Sequence, residues 1–263
     1  MNTLTILEAE GIRSLHFFGT PAVQGAMYVG RPDEIVLEYV QQMMMWMLFR
    51  DDPGHVAQLG LGAAALTKFC HRHLPESAIT AVELDADVIA TARQQFALPP
   101  DDERLSVLNM DAMDYVSDFS RRRSIDVLQV DLYDAAAASP ALSSESFYAS
   151  CANCLSYDGV MTVNLYCDGP DHMRHIRALE SAFEAVAWLP MVHDANVVAI
   201  AFKRSPSIEF DDLLRRAARI RERTGLPAEA WVHGLHAWML GELEMPEAPS
   251  PLAPRQDGVP APR

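Results

Sequence analysis

Glu83, Asp111, Asp131 and Asp134 stand where strands give way to the turns that follow them, beside a glycine pair, Gly60 and Gly62. The run from His55 to Asp85 reads as a buried strand (55–59), a Gly60-Leu61-Gly62 turn, a helix opening at 63–65, and a second buried strand (78–84) whose tip carries Glu83. Glycines let a backbone pass close under a ligand, and the helix that follows aims free N–H groups and its positive dipole end at it. A carboxylate about 20 residues beyond such glycines can accept both hydroxyls of a ribose. A plain tight turn followed by a solvated acid would carry the same residues. Ala64 stands near the place of the helix-side glycine of a dinucleotide fingerprint, so no pyrophosphate is cradled. A nucleoside without phosphates fits better, and adenosyl sulfonium compounds are the obvious class.

Asp111 ends the next strand in NMDAMDY, where it can accept from an adenine exocyclic amine, cap the following helix, or do both. The strand after that closes on Asp131-Leu132-Tyr133-Asp134. Strand-end acids are commonly just solvated, but at successive strand ends these make an acidic cleft suited to a sulfonium and an amine. Gln24, Tyr39 and Gln41 could line its roof, although on amphipathic elements such residues more often pack or face solvent. His193, at a strand end near the cleft, is the histidine to test; His71 and His73 lie on a helix face turned to solvent. The Met43-Met44-Met45 run reads as core.

From His55 onward strand and helix alternate, with strands at 55–60, 78–84, 105–110, 125–131, 158–165, 186–193 and 196–203 and helices at 63–74, 86–96, 111–119, 143–155 and 170–184. That is the pattern of an open parallel sheet, and the fold class is α/β, a Rossmann-like seven-stranded sheet of the methyltransferase type. Only Asp194-Ala195 joins the last two strands, so they form an antiparallel hairpin with one strand reversed at the edge. Residues 2–30 alternate around turn signals as short antiparallel strands, and Pro32-Asp33-Glu34 opens a helix to about Phe49, apolar all round in its second half. Helical stretches follow at 208–223 and 227–243. The expected division is an N-terminal β-hairpin domain (1–31), a nucleoside-binding catalytic domain (32–206), a helical extension (207–245) and a disordered proline-rich tail (246–263).

The 263-residue chain carries a formal net charge of -15, which argues against nucleic acid and weakly favours small cationic substrates. Its basic run, Arg121 to Arg123, reads as a solvated turn. The four cysteines lack zinc-cluster spacing and suit a reduced, cytoplasmic protein without a metal. No signal peptide is seen, and the apolar run 43–49 falls far short of the roughly 20 residues that span a bilayer.

The succession GLGAAAL, AVELDADVI, LNMDAMDYV, DVLQVDLYDA and DGVMTVNLY, with GAMYVGRPDEIV before it, resembles the spermidine synthases from Gly11 to Lys203. Its most specific element is the D-x-x-D after the fourth strand of the sheet. The resemblance implies a β-domain used in oligomerisation, as a homodimer or homotetramer, joined to a sheet that binds decarboxylated S-adenosylmethionine. It implies Glu83 for ribose, Asp111 for adenine, Asp131 as base toward the attacking amine and Asp134 as its second anchor. The chain also departs from the family. Where the family's G-G-G-D-G loop presents an acid to the aminopropyl ammonium stands Ala63, which removes a feature that selects against ordinary S-adenosylmethionine. Ala135 replaces the proline after D-x-x-D, an acceptor loop with its tyrosine is missing before Asn196, and family glutamines stand as Tyr28 and Asn164. Aminopropyl transfer to a small-molecule amine leads; a methyltransferase using S-adenosylmethionine, and a non-catalytic nucleoside-binding or assembly protein, are its rivals.

Overall fold

The computed structural model describes residues 4–17, 23–132, 144–166, 172–192 and 196–242. Asp134, His193, the Asp194-Ala195 turn and the proline-rich stretch from 246 lie outside them.

Three N-terminal strands, β1 (Leu4–Ala9), β2 (Ile12–Phe17) and β3 (Val23–Tyr28), form an antiparallel sheet in that order. Glu10 and Gly11 turn β1 into β2 with φ of 51° and 76°, the left-handed pair whose twist suits a two-residue hairpin. Leu15, Phe17, Ala26 and Met27 are buried, while Ile6 and Leu7 of the outer strand are exposed.

The helix expected from Pro32 begins later. Residues 32–37 turn instead, with Ile35 buried and its carbonyl held by Gln41 Nε2 at 2.8 Å, so the chain is already anchored before α1 (Glu38–Gln42) starts. A 3₁₀ turn, Met45–Leu48, follows, and the whole stretch from Met43 to Leu48 is buried as its composition predicts.

Beyond it run β4 (His55–Leu59), α2 (Ala65–His73), β5 (Ala78–Glu83), α3 (Ala86–Gln95), β6 (Leu105–Asn109), α4 (Ala112–Ser117), β7 (Ile125–Val130), α5 (Glu145–Cys154), β8 (Leu155–Tyr166), α6 (His172–Glu180), β9 (Ala185–Trp188) and β10 (Asn196–Phe202). Their sheet has the order β6-β5-β4-β7-β8-β10-β9 and is parallel except for β10, which runs against both its neighbours. The strand antiparallel to the rest therefore lies inside the sheet and not at its edge. Val197 to Ala201 of β10 are buried throughout and need a partner on each side, whereas the short, half-buried β9 suits an edge. β9 also ends at Trp188, short of the expected 193, although Leu189 N still donates to the Val198 carbonyl (3.0 Å).

One face of the sheet packs against α2, the Met43–Leu48 stretch, α7 (Phe210–Thr224) and α8 (Ala228–Met239). The opposite face packs Tyr115, Phe147, Tyr148 and Leu179 from α4, α5 and α6. Helix α7 carries Asp211 and Asp212 in its first turn and Arg221 and Arg223 in its last, matching its dipole, and stops at Gly225 with φ 77°. From it Arg216 reaches the Leu48 carbonyl (3.4 Å) and Asp51 (3.3 Å), tying the helix to the 3₁₀ turn.

Candidate active site

The turn after β4 takes its shape from positive φ at Gly60 (93°), Gly62 (50°) and Ala64 (57°). Close packing also fixes its composition. A Cβ on Gly60 would fall on the Asp131 carbonyl, and one on Gly62 would lie 2.8 Å from the Gln24 carbonyl. One on Gly25 would lie 2.6 Å from Ala63 Cβ. Strand β3 is thus laid across the turn, and Ala63, buried with Leu15, Met27 and Phe96, has its side-chain space filled.

Glu83, at the tip of β5, is half-buried. Its Oε2 accepts from Leu61 N (3.0 Å) and its Oε1 from Asp85 N (2.9 Å), so the carboxylate is aimed by the turn itself. Burial pushes its carboxyl up against the pull of those N–H donors. Beside it, Asn109 Nδ2 donates to the Glu83 and Leu84 carbonyls (3.0 and 2.8 Å), joining the tips of β5 and β6. Asp111 caps α4, its Oδ1 accepting from Met113 N at 2.6 Å, and is exposed. Oδ1 carries that capping bond, and Oδ2 lies in the same exposed carboxylate.

Asp131 follows β7 and is held from two sides. Asn164 Nδ2 on β8 donates to Oδ1 (2.9 Å), and the Tyr39 hydroxyl on α1 donates to Oδ2 (3.3 Å). Burial pushes this carboxyl above the ordinary aspartate range although both hydrogen bonds oppose the shift. The backbone N–H of Asp131 donates to the Leu59 carbonyl (2.9 Å), which pins the acid beside the glycine turn.

The structure therefore gathers Gly60, Gly62, Glu83, Asp111, Asp131 and Asn164 along the carboxyl edge of β4 to β8. The Tyr28 ring lies under the Arg31 guanidinium at 4.7 Å, with Arg31 paired to Glu34 (2.6 Å). Asp134 and His193 fall outside the described residues. Gln24 meets the site through its carbonyl over Gly62, and Gln41 faces away, onto Ile35. Tyr39, which on an amphipathic element reads as a packing or solvent-facing residue, instead reaches Asp131; its position one turn ahead of an all-apolar run is the signal the sequence carries. Among the described residues no group of three or more His, Cys, Asp and Glu could hold a metal.

The Spermine/spermidine synthase domain matches residues 36–177. The polyamine aminopropyltransferase of Neisseria meningitidis serogroup A is 37% identical over 235 residues, 88% of each chain. That of Chromobacterium violaceum is 35% identical over 237 residues, 89% of this chain and 90% of its own. Among solved structures, a probable spermidine synthase from Corynebacterium glutamicum superposes with a TM-score of 0.67 at 19% identity, covering 88% of this chain and 91% of its own.

Proposed function

The chain belongs to the spermine/spermidine synthase family and is a transferase, and on that basis we propose that it moves an aminopropyl group from decarboxylated S-adenosylmethionine to a small amine. The observation that carries this reading is Asp131: a half-buried carboxylate held by Asn164 and Tyr39 beside a glycine turn. The donor supplies a carbon already made electrophilic by its sulfonium. An alkylammonium of pKa roughly 10 cannot attack that carbon until it loses a proton. Asp131 takes that proton, and its burial makes it a stronger base than a surface aspartate. Glu83 accepts the ribose hydroxyls on the lone pairs its two backbone donors leave free, Asp111 accepts from the adenine amine, and Asp134 grips the acceptor. Alignment and proton removal are what the protein adds, the latter worth about 10²- to 10⁴-fold.

A second reading, methyl transfer from S-adenosylmethionine, is favoured by Ala63, a neutral buried residue packed against Gly25 in the glycine turn. Calorimetry with S-adenosylmethionine, its decarboxylated form and methylthioadenosine separates the two. Tighter binding of the decarboxylated donor and transfer to an amine support the first reading. Preference for the intact donor transfers the case to the second, and binding of none would leave a non-catalytic assembly protein.

We further read the protein as a homodimer or homotetramer associating through the N-terminal sheet. Buried free Cys70, Cys151 and Cys154 suit the cytoplasm, and among the described residues no helix is long and apolar enough to cross a membrane.

A further inference from the structure

The sheet face beneath α1 is polar where an α/β core is ordinarily apolar. Gln58 on β4, Gln129 on β7 and Thr162 on β8 are register partners, one row across three neighbouring strands, each no more than 1% exposed. Two residues further along the same strands, hence on the same face, lie Gly60, Asp131 and Asn164. The inner row is closely hydrogen-bonded. Thr67 Oγ1 donates to Gln58 Oε1 (2.6 Å), and Gln58 Nε2 to Gln129 Oε1 (3.0 Å). Gln129 Nε2 and Thr162 Oγ1 both donate to the Met43 carbonyl, at 3.1 and 2.9 Å. Met43 N in turn donates to the Tyr39 carbonyl (2.9 Å), one turn back, and the Tyr39 hydroxyl reaches Asp131. The spacings match: four helical residues advance about 6 Å and two strand residues about 6.6 Å. One short helix thus seats a carbonyl on the inner row and a hydroxyl on the outer one.

We propose that Gln129 and Thr162 are positioning residues: by clamping the Met43 carbonyl they set how far α1 advances along the sheet, and so hold Tyr39 against Asp131. The proposal rests on the reading of Asp131 as the base. Helix α1 has five residues, too few to hold itself. The methionines after it are flexible and their apolar contacts non-directional, so they allow sliding that two hydrogen bonds forbid. The Asp131 carboxylate accepts from Tyr39 on α1 and Asn164 on β8, and the Gly60 backbone packs against the Asp131 main-chain carbonyl. Releasing Tyr39 removes one of the two bonds that oppose the effect of burial.

Thr162→Val deletes the hydroxyl and keeps the shape, Gln129→Leu deletes both amide functions, and Thr162→Ser returns the hydroxyl. Two quantities are measured: kcat and KM against pH, and the titration of the Asp131 carboxyl by carbon NMR in Asp-labelled protein, its signal identified by its loss in Asp131→Asn. Each deletion lowers kcat about 10-fold or more at constant donor KM. It also moves both the Asp131 midpoint and the acid limb to higher pH, and Thr162→Ser restores them. Loss of thermal stability with the midpoint and acid limb unmoved would overturn the proposal and leave the row as core packing. A midpoint that moves in Thr162→Val, in a protein that transfers no aminopropyl group, sustains the clamp and sinks the reaction assigned above.

Discussion

Glu83 already accepts from the Leu61 and Asp85 N–H groups, yet a carboxylate offers about four acceptor sites, so capacity remains for a ribose. Glu83→Ala is expected to weaken donor binding by about 1.5 to 3 kcal/mol, the range for a hydrogen bond to a charged group. Calorimetry with methylthioadenosine checks it, and undiminished affinity in a folded variant would move the nucleoside elsewhere. At Asp131 the expectation is kinetic. Asp131→Asn lowers kcat about 10²-fold or more with donor affinity nearly intact. The base works only when ionised, and burial raises its pKa, so the acid limb of kcat lies above the ordinary carboxylate value of roughly 3.9. Asn164→Leu removes an opposing hydrogen bond and carries that limb further up. A pH–rate profile in which Asn164→Leu leaves the limb in place would separate the limb from Asp131.

Lys68 shows what the elements demand of one another. It lies on α2, 2% exposed, with Nζ donating to the Phe96 carbonyl that ends α3 (2.7 Å), and burial lowers its pKa to about 8. Unfolded, it titrates near 10.4. Between those values the unfolded chain holds the proton and the folded chain does not, so stability rises as pH climbs through that window. Melting temperatures at about pH 7 and about pH 9.5 should show this gain in the wild type and a flatter response in Lys68→Met. Equal responses would place the ammonium in solvent. The strands of the sheet were legible because buried parallel strands write near-continuous apolar runs, as in HVAQL and IDVLQV, bounded by turn residues. The glycine turn and its acid were legible from their spacing. Chain order is silent on which of two hairpin strands goes inside, so the internal place of β10 was hidden. The late start of α1 was hidden because Ile35 is anchored by a contact that propensity does not encode. Gln58 and Gln129 read as ordinary strand residues until three strands are set side by side, and Tyr39 becomes a partner of Asp131 only once α1 lies on them.

At the scale of the molecule, β1 leaves Ile6 and Leu7 exposed on the outer strand of a three-stranded sheet, a surface that pairing between copies would cover. Light scattering should show a dimer or tetramer, and Leu7→Glu should shift it toward monomer; an unaltered mass would assign the exposed edge another use. The same small sheet reaches inward, because Gly25 and Ala63 meet where β3 crosses the glycine turn. Ala63 is 2% exposed, so Ala63→Asp would bury an unpaired carboxylate, at a cost of about 3 to 5 kcal/mol. A large drop in melting temperature without improved binding of the decarboxylated donor is the expected result. Ala63 keeps position 25 a glycine, so a side chain at 25 would require movement between the glycine turn and a strand that belongs to a different sheet. A replacement at 63 is thus felt first in the N-terminal sheet, away from the strand ends where the acids gather.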